Sequence, residues 1–256
     1  MGSTETLDRL AREQAFHDER FASAEPEERD RFYAFVGGAR RRLAEATDQF
    51  VAGDRVLEIG VGLSSTGWSL ARRGVRVLAI DISPVAVDRA RLAASAEGLD
   101  NMTFAVMNAE SLVLDDDSFD GVVGSGILHH LDISIAYSEV RRVLRPGGRA
   151  VFYEPLGHNP LINGYRDRTP GMRTDDEHPL LKSDIATARE HFDGVDATMH
   201  HLAVIVCAFL PARLRRLARP VLDAADALIT RLPGLRWWSW ITVIELSEPV
   251  GPAPGR

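Results

Sequence analysis

The residues best suited to chemistry are concentrated in one stretch, residues 56–67, which reads VLEIGVGLSSTG. Glu58 lies near the end of an apolar run, and Gly60 and Gly62 follow it before a cluster of hydroxyl side chains. The glycines allow a sharp turn and a close approach of the backbone to a ligand. A carboxylate beside this turn suits a ligand with a cationic ammonium group, because opposite charges attract at short range. The stretch therefore predicts a turn that binds a small charged molecule.

The spacing of the glycines separates two classes of nucleotide ligand. A dinucleotide site has the pattern Gly-x-Gly-x-x-Gly, whereas Ser65 stands three positions after Gly62 here. Glu58 also disfavours a pyrophosphate, because both groups are negatively charged. S-adenosylmethionine carries an ammonium group and fits the pattern better. Binding of NAD stays open as an alternative.

The stretch resembles the first motif of the class I S-adenosylmethionine-dependent methyltransferases, which reads hydrophobic-acidic-x-Gly-x-Gly-x-Gly. Glu58, Gly60 and Gly62 match this motif, and Ser64 replaces its third glycine. The resemblance extends over residues 54–154 and points to the type 11, UbiE-like small-molecule methyltransferases. It implies that S-adenosyl-L-methionine is the cofactor and that Ser64 lies beside its methionine part.

A second acidic residue follows the second predicted strand. Asp81 lies 21 residues after Gly60, the spacing at which such a carboxylate accepts hydrogen bonds from ribose hydroxyls. Its alternative role is to cap the next helix, although Ser83 can also do so. Asn108 follows the third predicted strand, and the resemblance places its side-chain oxygen on the adenine amino group. The remaining residues predicted to bind the cofactor are Ile82, Ala109, Glu110 and Ser125.

Three histidines are candidates for a catalytic base. His129 and His130 follow the fourth predicted strand, at the edge where open α/β sheets bind ligands. His158 follows the fifth strand by four residues and lies in a predicted turn, which makes it the preferred candidate. Structural roles stay open for all three, because methyl transfer from an activated sulfonium depends mainly on positioning. The spacing of cysteines and histidines predicts no metal site.

The elements that position these residues alternate in the order of a parallel sheet. Five apolar runs alternate with helical patterns, and a hairpin closes the chain, which predicts an α/β, Rossmann-like, doubly wound sheet. The resemblance implies seven strands in the order 3-2-1-4-5-7-6. The predicted parts are an N-terminal helical lid at 1–49 and a methyltransferase domain at 50–256, with an acceptor loop at 155–179 and a helical insertion at 211–232.

The predicted lid supplies further candidates for contact with a ligand. The aromatic side chains that repeat at helical intervals in this segment include His17, Phe21, Phe32 and Tyr33. For each of them, anchoring a helix to the sheet is the alternative role. An acceptor is predicted between the ends of the fourth and fifth strands and the acceptor loop, beneath an apolar roof from residues 202–240.

Composition limits the partners. A formal net charge of −7 argues against nucleic acid as the main partner. Cys207 is the single cysteine, and the first residues lack a signal-peptide pattern, so the cytoplasm is expected. The apolar segment 202–210 is too short to cross a bilayer, which takes about 20 residues. Peripheral membrane contact by the arginine-rich insertion stays open beside packing on the sheet, and the chain is expected to be a monomer or a homodimer.

The predicted function is transfer of a methyl group from S-adenosyl-L-methionine to a small, apolar acceptor at oxygen or nitrogen, with release of S-adenosylhomocysteine. Two alternatives come from other classes. One is a non-catalytic protein of the same fold that binds the cofactor or a partner. The other is an NAD-dependent oxidoreductase.

Overall fold

The computed structural model describes residues 3–22, 37–62, 65–169, 174 and 176–250. Three of the predicted ligand contacts, Phe32, Tyr33 and Ser64, lie outside these residues. The strands within them are β1 Arg55–Ile59, β2 Arg76–Asp81, β3 Met102–Val106, β4 Phe119–Ser125, β5 Leu144–Pro155, β6 Phe192–His200 and β7 Ile241–Pro249. They form one sheet in the order β3-β2-β1-β4-β5-β7-β6. The predicted fold class and strand order are confirmed.

The strands β1 to β5 are parallel, and β7 runs antiparallel between β5 and β6. The α-helices within the described residues are α1 Ser3–Ala22, α2 Gly37–Thr47, α3 Gly67–Arg72, α4 Pro84–Ala96, α5 Ile133–Val143, α6 Pro160–Arg166, α7 Lys182–Thr187 and α8 Ala212–Ile229. Short 3₁₀ helices occupy Leu128–His130, Ala188–Glu190, Val204–Phe209 and Leu235–Trp238.

The sheet has a core on each face. Successive residues of a strand point to opposite faces, so Leu57 and Val56 enter different clusters of buried side chains. The first cluster includes Phe119 and Tyr137, and the second includes Val151. Because both faces are covered, the central strands are largely apolar, as expected for a buried parallel sheet.

The turn after β1 requires glycine. Gly60 and Gly62 have φ values of 76° and 45°, in the left-handed region that side chains with a Cβ seldom adopt. A Cβ on Gly60 would also lie 3.0 Å from the side chain of Ile127. The turn therefore brings backbone amides to the carboxyl edge of the sheet, where no side chain blocks them.

The predicted acceptor loop contains a helix that the sequence analysis missed. The side-chain oxygen of Asn159 accepts hydrogen bonds from the amides of Leu161 and Ile162, at 2.9 and 3.2 Å, and so caps α6. Pro160 occupies the first position of the helix. An asparagine cap followed by proline is a local helix-start signal, so this error was avoidable from the sequence.

The helical insertion forms α8 and packs on the neighbouring 3₁₀ segment. Leu222 contacts a small cluster that includes Val204 and Cys207, and the carboxylate of Asp226 accepts hydrogen bonds from the amides of Leu202 and Val204. The opposite face of α8 exposes apolar side chains, namely Leu214, Leu217, Val221 and Leu228. Among the described helices, none combines the length and apolar character that a membrane span requires.

Candidate active site

One large cavity of about 660 Å³ opens at the carboxyl edge of the sheet, beneath α1. This volume lies within the roughly 300–1,000 Å³ typical of small-molecule sites. The first part of its lining, here called the strand-end wall, comes from the ends of β1 to β4 and consists of Gly60, Gly62, Asp81, Ile82, Asn108, Ala109 and Ser125. The second part, here called the histidine wall, consists of Glu13, His17, His129, His130 and Glu177.

Asp81 is the central carboxylate of the strand-end wall. Its two oxygens accept hydrogen bonds from the amides of Ser83, at 3.0 Å, and Gly62, at 3.1 Å. The hydroxyl of Ser83 caps α4 by accepting from the amide of Ala86, so the cap is not the role of Asp81. Burial raises the pKa of Asp81 although the amides of Ser83 and Gly62 oppose the shift. Each oxygen keeps acceptor capacity for a ligand hydroxyl.

Glu58 lies beneath the glycine turn and does not line the cavity. Its carboxylate accepts hydrogen bonds from the amide of Gly67, at 3.1 Å, and from the hydroxyl of Ser65. Burial raises the pKa of Glu58 to about 7, against the effect of these hydrogen bonds. The sequence analysis aimed this carboxylate at a ligand ammonium, whereas it holds the start of α3 because that helix begins directly above it.

Glu110 also lies outside the lining of the cavity. Its two oxygens form hydrogen bonds of 2.7 and 2.5 Å with one nitrogen of Arg9, and one of them accepts from the amide of Asp132 at 2.7 Å. The predicted contact of Glu110 with the cofactor is replaced by an ion pair that fastens α1 to the sheet. Asn108 does line the cavity, and its oxygen also accepts a hydrogen bond from the amide of Glu110 at 2.9 Å.

His129, on the histidine wall, forms a buried pair with Glu154. The Nδ1 atom of His129 lies 2.7 Å from Oε2 of Glu154, whose other oxygen accepts from the amides of Ile127 and Leu128, each at 2.9 Å. Glu154 is completely buried. The carboxylate thus orients the imidazole and favours the tautomer with a proton on Nδ1, which leaves Nε2 as an acceptor.

The carboxylates of the histidine wall face basic groups. Burial alone would raise the pKa of Glu177, but His129, His130 and a hydrogen bond of 2.8 Å from Arg166 lower it. Burial would likewise raise the pKa of Glu13, yet interactions with His130, His17 and Thr174 lower it well below its usual range. Both groups are therefore ionised at neutral pH.

His158, the preferred base in the sequence analysis, does not line the cavity. Its Nε2 atom accepts a hydrogen bond from the amide of Lys182 at 3.0 Å, and its ring centroid lies 6.1 Å from that of Trp237. This histidine therefore supports the start of α7. Of the side chains described in 202–240, only Trp240 lines the cavity, whereas α1, α2 and α6 supply several lining residues, so the predicted roof does not come mainly from that region.

Sequence reasoning named His17, His129 and His130 but missed Glu13 and Glu177 of the histidine wall, as well as Glu154, the partner of His129. Glu13 and His17 lie one turn apart on α1. His130 and Glu154 are more than 100 residues further along the chain. A regular pattern did exist within α1, where Arg9, Glu13 and His17 recur every four residues and so share one face. That pattern indicates a face of the helix but not its partner.

The comparisons with known proteins concern mainly the first five strands. Residues 57–152 match the family model described as a methyltransferase domain. The chain is 38% identical over 107 residues to a demethylmenaquinone methyltransferase of Clavibacter sepedonicus, covering 41% of this chain and 42% of that protein. It is 34% identical over 120 residues to the ubiquinone/menaquinone biosynthesis C-methyltransferase UbiE of Geobacter sulfurreducens, covering 44% and 46%. The matches thus span less than half of these relatives.

A solved structure resembles the whole fold. Phosphoethanolamine N-methyltransferase 2 of Haemonchus contortus, in complex with S-adenosyl-L-methionine, superposes with a TM-score of 0.61 over 91% of this chain and 60% of that chain. Its sequence identity of 16% supports the fold alone. The sequence matches support the methyltransferase domain that the first motif predicts.

Proposed function

We propose that this chain, which carries a class I S-adenosylmethionine-dependent methyltransferase domain, is an enzyme that transfers a methyl group from S-adenosyl-L-methionine to an oxygen or nitrogen of a small acceptor. The observation that carries the proposal is the large cavity with two different walls. Seven of the ten residues predicted to bind the cofactor line it, and the histidine wall includes His129, which is paired with the buried Glu154.

The strand-end wall fits the cofactor. Asp81 offers carboxylate oxygens to the ribose, and Gly60 lines the cavity without a side chain. Asn108 and Ala109 also line the cavity and are proposed to contact the adenine, and Ser125 lines it at the end of β4. When bound, the cofactor supplies a methyl group that is already activated on a sulfonium, so the protein mainly has to align the acceptor with it.

His129 is proposed as the base that removes the acceptor proton. Glu154 contacts the Nδ1 atom of His129, so the Nε2 atom can accept a proton from a hydroxyl or a protonated amine of the acceptor. Glu154 then stabilises the charged imidazolium without taking the proton itself. His130, the third candidate in the sequence analysis, faces Glu13 through its Nδ1 atom and is not assigned this role.

The lining supports an acceptor with an apolar body and a polar end. Apolar side chains from several segments line the cavity, namely Leu10, Leu43, Ile127, Ile162 and Trp240. Glu177 lies beside His129 on the histidine wall, and Arg166 donates a hydrogen bond to Glu177. We propose a small, largely apolar acceptor whose polar group reaches His129. Methylation at carbon, the reaction named for the relative from Geobacter sulfurreducens, is the competing outcome.

The test is incubation of the chain with S-adenosyl-L-methionine and a panel of hydroxyl, amine and quinone-type acceptors, followed by mass spectrometry. A product heavier by one methylene unit, with equimolar S-adenosylhomocysteine, is expected. Fragmentation of that product locates the methylated atom. A chain that binds S-adenosylhomocysteine but yields no product across the panel supports the non-catalytic alternative.

NAD binding is tested separately by thermal unfolding. A ligand that binds only the folded state raises the melting temperature. S-adenosylhomocysteine is expected to raise it and NADH to leave it unchanged. The opposite result favours an oxidoreductase.

The remaining parts of the proposal concern organisation and surroundings. We propose that residues 1–49 act as a lid and that the partner is a small molecule rather than nucleic acid, in keeping with the net charge of −7. A cytoplasmic location and a monomer or homodimer belong to the same proposal. Because α8 has an exposed apolar face, peripheral membrane contact is also part of the proposal. Light scattering tests the oligomeric state, and vesicle sedimentation tests the membrane contact.

A further inference from the structure

Two acid–histidine groups meet on the histidine wall, and one of them has no role in the proposed methyl transfer. Glu13 and His17 are four residues apart on α1, so their side chains lie on the same face of the helix. His130 approaches this face from the segment after β4. The Oε2 atom of Glu13 lies 3.1 Å from Nδ1 of His130 and 3.4 Å from Nε2 of His17.

These atoms are buried without being satisfied. Glu13 is 4% exposed and His130 is 9% exposed, yet Oε2 of Glu13 and Nδ1 of His130 make no hydrogen bond of acceptable geometry within the described residues. Buried polar atoms in folded proteins nearly always have a partner. The other oxygen of Glu13 accepts from the hydroxyl of Thr174, so the carboxylate is held in place with Oε2 directed at the two histidines.

We propose that Glu13, His17 and His130 bind one divalent transition-metal ion. Their ligand atoms all lie within 4.8 Å of one another. Two imidazole nitrogens and one carboxylate oxygen are a donor set that suits Zn²⁺ and other first-row metals such as Co²⁺ and Mn²⁺. An ion there would become the missing partner of Oε2 and Nδ1.

The neighbouring acid–histidine group is a weaker choice. His129, His130 and Glu177 also bring ligand atoms within 4.8 Å. However, His129 is engaged by Glu154 at 2.7 Å, and Glu177 by Arg166 at 2.8 Å. Because these side chains already have partners, they are better placed beside the metal site than in it.

The proposed ion would face the cavity. Glu13, His17 and His130 all line it, and three protein ligands leave further coordination positions open, as in catalytic zinc sites. An oxygen of a bound ligand or water can occupy such a position. The site joins α1 to the segment after β4, so metal binding would also hold the lid helix against the sheet.

The spacing rules for metal sites did not reveal this group. Glu13 and His17 are 113 or more residues away from His130, whereas the rules depend on ligands that are close in sequence. The proposed metal site does not depend on methyl transfer, because the side chains that would bind the ion are in place whichever reaction the protein catalyses.

The experiment is calorimetric titration of the full chain with Zn²⁺ after removal of any affinity tag and dialysis against a chelator. One ion per chain is expected. Glu13→Gln, His17→Gln and His130→Gln should each weaken binding by more than the roughly 10- to 100-fold that loss of an outer partner costs. His178→Gln, which changes an exposed histidine next to Glu177, is the matched control and should bind like the wild type.

Titration with Co²⁺ keeps the test valid if a variant fails to fold. The visible absorption of wild-type protein should show a nitrogen- and oxygen-ligated ion at one equivalent, and Zn²⁺ should displace it. The proposal is overturned by wild-type protein that binds no ion stoichiometrically, or by folded variants with unchanged affinity. Binding of S-adenosylhomocysteine is measured in parallel, so loss of the metal proposal alone leaves the proposed function standing.

Discussion

The two walls of the cavity are built in different ways. The strand-end wall comes from residues 60–125, and its polar groups are held by nearby backbone amides, such as those of Gly62 and Ser83 on Asp81. The histidine wall is assembled from α1, the segment after β4 and Glu177, and its polar groups are held mainly by other side chains. The first wall is local in sequence, whereas the second depends on the tertiary fold.

The electrostatics of the two regions differ in the same way. Beneath the strand-end wall, burial dominates and raises the pKa of Glu58 to about 7. In the histidine wall, basic neighbours outweigh burial and lower the pKa of Glu13 and Glu177. Neutral dipoles thus support the first region, and ionised groups in contact support the second. Mutations in the two regions should therefore affect different measurements.

The largest effect is expected from the histidine wall. His129→Ala should lower turnover by roughly 10²- to 10⁴-fold, because a positioned base contributes about that much. The Kd for S-adenosylhomocysteine should stay the same. Steady-state kinetics with the acceptor found by mass spectrometry gives the first value, and calorimetry the second.

A matched control uses the histidine outside the cavity. His158→Ala should reduce turnover less than tenfold, because its ring accepts a hydrogen bond from Lys182 away from the lining. Equal losses in both variants would remove the special role of His129. A loss below tenfold in His129→Ala would mean that positioning alone carries the reaction.

This contrast also shows what sequence reasoning could reach. Gly60, Gly62 and Asp81 have fixed spacings around one turn, so the strand-end wall was predictable from local pattern and resemblance. His129 was recognised as a candidate, but Glu154 was not, because no local rule pairs the end of one strand with the turn after another. His158 was preferred for its turn context, and only the fold shows that its ring points to α7.

The next effect concerns the folding stability of the strand-end region. The pKa of Glu58 is about 7 in the folded state and about 4.3 in an unfolded chain, so the folded state holds this proton more tightly. The resulting stabilisation is complete below about pH 4.3 and is lost as the pH rises to about 7. Glu58→Gln, which does not titrate, should gain about 3 kcal/mol of unfolding free energy relative to wild type over this range.

Urea unfolding of the ligand-free protein between pH 4.5 and 8 measures this difference. Asp193→Asn, which changes an exposed carboxylate, is the control and should track the wild type. A constant difference between Glu58→Gln and wild type at all pH values would show that burial does not govern this carboxylate.

A smaller effect, on amide exchange, is expected where α1 is attached to the sheet. Arg9 contacts both the backbone oxygen of His130 and the carboxylate of Glu110, so Arg9→Ala should loosen α1 while the sheet stays folded. Amide exchange in α1 should become roughly tenfold faster, in keeping with about 1.5 kcal/mol for a hydrogen bond to a charged group. Arg12→Ala, at a more exposed ion pair with Asp176, should have less effect.

Hydrogen exchange with and without S-adenosylhomocysteine also tests the proposed lid. Slower exchange in α1 on adding the ligand is expected, because α1 covers the cavity. Unchanged exchange in wild type would count against a lid. Exchange that responds equally in Arg9→Ala and Arg12→Ala would remove the specific role of the contact with Glu110.

The most direct test of the two-wall account is calorimetric titration of S-adenosylhomocysteine into wild type, Asp81→Ala and Glu154→Gln. Loss of charge-assisted hydrogen bonds from Asp81 should cost ~1.5–3 kcal/mol, which weakens binding roughly 10- to 150-fold. Glu154→Gln changes the partner of His129 on the other wall. This variant should bind S-adenosylhomocysteine within about twofold of wild type, while its turnover falls. Equal Kd values for wild type and folded Asp81→Ala would contradict the assignment of the strand-end wall to the cofactor.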